Sequence, residues 1–499
     1  MIEPSAFILG LKQALGFANI IALISGTIIG IIVGILPGMG PMVGMVILLP
    51  FSYYLPPTVA LSLLLGIYCG GYFGGGIPAV LIRTPGVPSS IMTSLDGYPL
   101  TKKGEGQLAL SATVVGSFSG GIISVLILIL LAPLMARVAV NFGPAEYFMV
   151  AVFGLVVMVM AHLDRIFQAI LLTCLGLWFS TVGFDGQTMV VRFTFGTVML
   201  RNGLEIAPMC LGFFGIGQSL LLLERQILET DDMSISLSSS NLDFSKVIYA
   251  FKHRLTLIKS ALIGTFVGIL PGAGSILSSF LSYQEAKRSS RHPEEFGKGA
   301  PEGCMAAEAG NNAVPAGAML PLLTLGIPGD PIAAILISIF IVNGIYPGPL
   351  LLIKEPELIN SIYISLFLVN IVAFILIIFF LRTFSMVVKF PNKLLAISIM
   401  ILCLVGLYTF NLRVFDMIVA LVMGILGYMM LRMEWPFVTW VLGLVLGPII
   451  EQRMRESLSL SRGNPAIFIQ SPICIILFVA SILVIVLPLL KRRLSNDNN

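Results

Sequence analysis

The chain has 499 residues, 57% of them hydrophobic and 11% charged, and its mean hydropathy is +0.99. Soluble domains carry about 25% charged residues, so this composition cannot supply the polar surface of a soluble fold of this length. The net charge of +4 is too small to argue for nucleic acid, and no nucleic-acid partner is expected.

About 20 consecutive apolar residues suffice to cross a bilayer. The first such stretch, near 14–36, is too long for a cleavable signal and reads as a membrane helix. Others follow near 58–82, 108–133, 145–161, 166–182 and 206–223, then near 256–271, 315–325, 331–353, 358–381, 394–410, 414–431, 435–450 and 470–490. Several are short or rich in Gly and Pro. The expectation is an all-α polytopic membrane protein with about 11–13 membrane helices, some broken or folded as re-entrant hairpins. Residues 224–254 differ: Glu224, Arg225, Glu229, Asp231 and Asp232 precede a Ser-rich run from Ser234 to Ser240. This segment reads as an extramembrane linker. It divides a first repeat, 1–223, from a second, 255–450. Residues 451–499 then hold a loop, a last membrane helix and a basic tail.

The two parts match. Gly34-Ile35-Leu36-Pro37-Gly38-Met39-Gly40 and Gly268-Ile269-Leu270-Pro271-Gly272-Ala273-Gly274 differ at one position. Further on, Thr84-Pro85-Gly86-Val87-Pro88 pairs with Thr324-Leu325-Gly326-Ile327-Pro328. The offset grows from 234 to 240, which implies an internal duplication with a net insertion of about six residues in the second copy. In that register Asn311 and Asn312 match Gly71 and Tyr72. The loop after the first glycine string is uncharged, whereas Lys287, Arg288, Arg291 and Lys298 follow the second. Positive loops stay in the cytoplasm, so the repeats are expected to be inverted. Lys491-Arg492-Arg493 also suggests a cytoplasmic C-terminus.

Proline lacks an amide hydrogen and breaks a helix. A broken membrane helix leaves polar backbone groups that protein, water or a ligand must satisfy. Gly38, Gly40, Gly272 and Gly274 are therefore expected to line a site near the membrane centre. Close packing of small residues is the alternative. The second pair of motifs reads as two hairpin tips. Thr84, Gly86, Ser89 and Ser90, with Arg83 beside them, are candidates for holding an anion at the start of the following half-helix. An ordinary interfacial loop is the alternative. Ser275 and Asn311 complete the expected substrate set. Asn312, Thr324, Gly326, Glu308 and Asp330 are candidates for ion coupling, because amide oxygens and freed carbonyls suit a hard cation and ionisable groups at membrane depth are usually functional. A place at the membrane interface is the alternative for Glu308 and Asp330. Interhelical hydrogen bonding is the alternative for the two asparagines. Six cysteines and three histidines show no metal-ligand spacing. No cofactor is expected beyond Na⁺ as a possible coupling ion. No hydrolase triad or phosphate loop is present, so enzyme activity is not expected.

These strings resemble the large membrane subunit of the tripartite tricarboxylate transporters over roughly residues 20–440. The resemblance is carried by the two Gly-Ile-Leu-Pro-Gly-x-Gly strings, Gly74-Gly75, Thr84-Pro85-Gly86, Ser94-Leu95-Asp96-Gly97-Tyr98-Pro99, Glu308-Ala309-Gly310-Asn311-Asn312-Ala313 and Leu323–Gly329. It implies a permease of the bacterial inner membrane that takes up small di- or tricarboxylates such as citrate with Na⁺ or H⁺. It also implies a small four-helix membrane subunit and a periplasmic binding protein as partners. This chain departs from the family pattern at Gly76, Pro78, Arg83, Val87 and Asp330. The pattern has an acid where Val87 stands and a small residue where Asp330 stands. A channel or ion exchanger is the alternative function, and an intramembrane enzyme a more distant one.

Overall fold

A computed structural model of the protein describes residues 4–36, 39–228, 242–270, 272, 274–348, 350–386 and 392–496. The chain opens with α1 (Pro4–Ala14), α2 (Phe17–Ile35), α3 (Gly40–Ser52), α4 (Pro57–Ile82), α5 (Ile91–Lys102) and α6 (Gly106–Ala139). It continues through α7 (Pro144–Met160), α8 (Ile166–Ser180), α9 (Ile206–Cys210), α10 (Gly217–Leu228) and α11 (Phe244–Ala250). Then come α12 (Arg254–Ile269), α13 (Gly274–Ser289), α14 (Pro301–Leu325), α15 (Pro331–Val342) and α16 (Leu351–Lys354). The last helices are α17 (Pro356–Met386), α18 (Asn392–Asn411), α19 (Val414–Arg432), α20 (Val438–Leu460) and α21 (Pro472–Asn496).

Among the described residues, six helical segments are long and apolar enough to cross a membrane: Phe17–Ile35, Pro57–Ile82, Gly106–Ala139, Leu163–Ser180, Pro356–Phe384 and Val414–Arg432. Six shorter apolar helices accompany them. Two spans differ from the sequence expectation. The stretch 315–325 is the last part of α14, whose first half carries Glu302, Glu308, Asn311 and Asn312 and so hides its helical length from a hydropathy scan. The stretch 331–353 is not one span. It stops at Val342, and Gly344 with a φ of 70° begins the exit loop.

Directions within the bundle follow from side-chain-free contacts. α2 lies along α4 with Gly30 against the Ile67 carbonyl and Gly34 against that of Gly71. α12 lies along α14 with Gly264 against Gly310 and Gly268 against Val314. In both pairs the numbers rise together, so the partners are parallel. α6 is also parallel to α14, with Gly116 on Met305, Gly120 on Ala309 and the Ser124 hydroxyl donating to the Ala313 carbonyl at 2.6 Å. α4 and α14, in contrast, run in opposite directions. Gly76 faces Glu308, while Tyr68, two turns earlier, bonds Asp330, whose neighbour Gly329 packs on Ala318.

These contacts also correct the register read from sequence. Ile67 and Gly310, Gly71 and Val314, and Gly74 and Gly317 make the same contacts and lie 243 residues apart. Gly86 abuts Gly34 just as Gly329 abuts Gly268, again 243 apart. The turns therefore pair as Pro85-Gly86-Val87-Pro88 with Pro328-Gly329-Asp330-Pro331, and the second copy is longer by nine residues between break and turn. The Thr-x-Gly-x-Pro pairing misled because Thr84 follows the end of α4, whereas Thr324 is still inside α14. In the corrected register Asn311 and Asn312 stand at the stations of Tyr68 and Cys69.

The ends of the bundle are distinguishable. Lys103 donates to the Lys298 carbonyl at 2.8 Å, which brings the α5–α6 loop to the start of α14. At the other end α6 and α14 finish, and a short hairpin of β1 (Gly183–Phe184) and β2 (Val191–Arg192) follows α8. Arg192 grips Glu451 through two bonds of 2.6 and 3.2 Å, and Arg455 bridges Asp185 and Glu451 at 2.7 Å each. The Gln187 amide and the Arg455 guanidinium hold the Asp185 carboxyl well below the usual carboxylate range.

Candidate functional site

Two helix interruptions and two turns meet inside the bundle. α2 ends at Ile35 and α3 begins at Gly40, with a φ of 64°. α12 ends at Ile269 and α13 begins at Gly274, with a φ of 67°. Such positive φ values favour glycine, so the paired glycines set the direction in which each helix resumes. Gly38, with Pro37, Pro271 and Ala273, lies outside the described residues. The Gly86 amide donates to the Gly75 carbonyl at 3.1 Å, folding the first turn back along its own helix. The Gly272 amide donates to the Gly329 carbonyl at 2.9 Å and ties the second interruption to the second turn. The turn residues Pro88–Ser90 also pack on α13, and α15 packs on α3, so each turn touches the resumed helix of the other repeat.

A polar cluster centres on Glu308, which is fully buried. Its Oε1 accepts from Ser90 at 2.8 Å and Thr93 at 2.6 Å. Its Oε2 accepts from Asn311 at 3.1 Å, Asn312 at 3.2 Å and Ser117 at 3.4 Å. Five donors satisfy the carboxylate, and among the described residues no basic side chain pairs with it. Four oxygens on the surrounding residues have no hydrogen-bond partner although buried: Ser89 Oγ, Thr113 Oγ1, Asn311 Oδ1 and Asn312 Oδ1. Thr113 reaches the cluster because Gly76 lies between its methyl group and Glu308. Buried polar atoms are nearly always paired, so unpaired oxygens beside one carboxylate describe a place suited to a small cation.

The second cluster centres on Asp330, also buried. Its side chain caps α15 by accepting from the Ala333 amide at 2.7 Å, and it accepts from the Tyr68 hydroxyl. Tyr72 lies beside Tyr68 with the rings tilted and their centres 5.7 Å apart, and its hydroxyl is partnered by Ser275. Ser275 therefore belongs to this cluster.

The expected ion-coupling set does not converge on one point. Glu308 and Asn312 belong to the first cluster and Asp330 to the second. The Thr324 hydroxyl is used by the Leu320 carbonyl at 2.7 Å. Gly326 is the left-handed C-cap of α14 and packs on Pro347 in the exit loop. In the expected substrate set, Ser90 and Asn311 meet at Glu308, Ser89 is buried next to Ser90 in the first turn, and Gly86 sits at the first interruption near Gly40, which faces Val87. Arg83 does not enter the site. It is exposed, ends α4 in a left-handed conformation and lies over the Tyr98 ring at 6.0 Å. Thr84 is partly exposed beside it. Tyr68, Tyr72, Thr93, Thr113 and Ser117 were not expected. Ser117 and Ser124, seven residues apart on α6, are the one spacing that pointed to a polar face toward α14.

Beside the second turn, a cavity of about 630 Å³ opens at the α14 C-terminal end. Gly326, Tyr346, Lys354, Tyr147 and Arg453 line it, and the Arg453 guanidinium lies 5.1 Å from the Tyr147 ring centre.

Interrupted helices, re-entrant turns and buried uncompensated carboxylates inside a multi-pass bundle define a membrane transport protein. The chain belongs to the tripartite tricarboxylate transporter TctA family, whose profile matches residues 20–442. It is 36% identical over 485 residues to an uncharacterized 52.8 kDa protein in the TAR-I ttuC' 3' region of Agrobacterium vitis, covering 97% of this chain and 95% of that one. It is 37% identical over 227 residues to an uncharacterized protein in the TAR-II ttuC' 3' region of the same organism, covering 46% of this chain and 94% of that one. No solved structure matches the chain.

Proposed function

We propose that the protein is the permease of a secondary active transporter that moves small di- or tricarboxylates such as citrate across the bacterial inner membrane together with Na⁺ or H⁺. The observation that carries this reading is that each turn abuts the interruption of its own half, while Pro88–Ser90 pack on α13 and α15 packs on α3, around buried polar clusters. Equivalent helices α4 and α14 run in opposite directions, as inverted repeats require. Lys102, Lys103, Lys287, Arg288, Arg291 and Lys298 gather at one end, which favours a cytoplasmic placement for it. Ser89, Ser275 and the backbone near Gly40, Gly86, Gly272 and Gly274 would hold the substrate carboxylates, while the Ser90 and Asn311 donors stay on Glu308. Glu308 with the free oxygens of Asn311, Asn312, Ser89 and Thr113 would hold the coupling cation. Among the described residues the site carries two carboxylates and no cation of its own, so an anion enters only with cations present. Complete burial of Glu308 and Asn311 suits a gated transporter rather than an open channel. Family membership suggests the small membrane subunit and the periplasmic binding protein as partners.

The test is uptake of labelled citrate, succinate and malate into proteoliposomes holding the permease with its small subunit, with Na⁺ and pH gradients imposed separately. Accumulation above the external concentration, driven by one of the two gradients, is expected. Equilibration that stops at equal concentrations would replace the transporter with a channel.

A further inference from the structure

The end of α6 and the start of α17 leave a second cavity between them, of about 350 Å³, closed on its third side by α16. Its walls are mostly apolar, from Pro133, Val140, Leu352 and Ile359, but Arg137, Asn360 and Tyr363 face it as well. Tyr363 is 3% exposed, and its buried hydroxyl has no hydrogen-bond partner. A buried hydroxyl left unpaired is costly, so an acceptor from a ligand is the natural complement. Tyr363 is the eighth residue of α17, which places it about 10 Å along the helix from its start. Arg137, in the last turn of α6, lies at the mouth and forms no ion pair among the described residues. Lys354, on the rim of the neighbouring cavity next to Glu355, forms no ion pair among the described residues, and the two cavities share Val140.

The surroundings decide what chemistry fits. Leu134, Val138 and Ile353 beside the mouth are 56%, 47% and 64% exposed, so this surface is one that hydrocarbon covers. Cations at the membrane boundary, apolar walls below them and a hydrogen-bond donor about two turns deeper match the order of groups in a phospholipid. An anionic headgroup meets Arg137 and Lys354, the glycerol ester carbonyls accept from Tyr363 and Asn360, and an acyl chain follows the apolar wall. We infer that this cavity binds an anionic phospholipid, seated between α6, which packs along α14, and α17. A soluble carboxylate would leave the apolar walls wet.

Native mass spectrometry of the full chain, after incubation with mixed micelles of phosphatidylglycerol and phosphatidylcholine, tests this without depending on transport. The wild type is expected to retain phosphatidylglycerol in preference to phosphatidylcholine. Arg137→Gln and Tyr363→Phe are each expected to lower that occupancy at least fivefold, while Arg462→Gln, a cation elsewhere on the same end, leaves it unchanged. Leu352→Trp, which fills the cavity without touching the polar groups, is expected to block retention and keeps the test decisive if Tyr363→Phe unfolds. Equal retention of both lipids, or wild-type occupancy in Arg137→Gln and Leu352→Trp, would overturn the assignment. Displacement of the lipid by millimolar citrate would overturn it in favour of a substrate vestibule.

Discussion

At the residue scale the chemistry rests on two buried acids with different partners. Glu308 collects five side-chain donors from α5, α6, α14 and the first turn. Asp330 has a helix-capping bond and one tyrosine. In the corrected register Asp330 stands at the station of Val87, so the second turn carries an acid where the first carries an apolar residue. Sequence alone singled out both acids, because an ionisable group in an apolar run is conspicuous. It could not supply the tyrosines, which look like ordinary core residues until Asp330 is seen beside Tyr68. Glu308→Gln keeps the size but removes the charge that attracts a cation and turns one of the two acceptor oxygens into a donor. Initial uptake is expected to fall roughly tenfold, the effect of losing about 1.4 kcal/mol of binding, and to lose its dependence on the driving cation. Thermal unfolding in detergent, compared with the wild type, separates this from misfolding. Unchanged cation dependence would move the coupling site to Asp330.

At the element scale the first turn is held to the second repeat by one carboxylate outside both clusters. Asp96 on α5 is fully buried. Its Oδ1 accepts from the amides of Gly297, Gly299 and Ala300 at 2.7, 2.9 and 3.0 Å, and its Oδ2 accepts from the Tyr283 hydroxyl at 2.8 Å. The loop before α14 is therefore folded around a side chain from the other repeat. Asp96→Ala leaves those donors without an acceptor. Two of the four donors, on Ala300 and Tyr283, are buried, and at about 1–2 kcal/mol for each of these a loss of about 3 kcal/mol is expected. Hydrogen exchange should show it first in residues 293–300, and Asp96→Asn should recover part of the protection. The Ser94–Pro99 string was legible as a family feature, but its partner loop was not, because the contact joins residues about 200 apart. The interruptions were legible for a local reason: Gly and Pro act on their own backbone. The turn register was not, because a Thr-x-Gly-x-Pro string can match in letters while one threonine is helical and the other is not.

At the scale of the whole molecule, the opposed directions of α4 and α14 fix which loops share a face. The α5–α6 loop and the 290–300 loop lie together, joined by Lys103 and Lys298. The β1–β2 hairpin lies at the far end, fastened by Arg192 and Arg455 to the end of α20. If the repeats are inverted in the membrane and the basic end is cytoplasmic, two exposed positions report opposite sides. Arg291 lies in the 290–300 loop. Met199 lies beyond β2 and is 65% exposed. Single cysteines at these sites, Arg291→Cys and Met199→Cys, placed in a chain whose exposed Cys174 is replaced by Ser, can be labelled with a membrane-impermeant maleimide. Met199→Cys is expected to react in intact spheroplasts, and Arg291→Cys only after the membrane is opened. Labelling of both from the outside would place the two loops on one face. The antiparallel course of α4 and α14 would then need another meaning, and the charge asymmetry between the two loops would cease to mark topology.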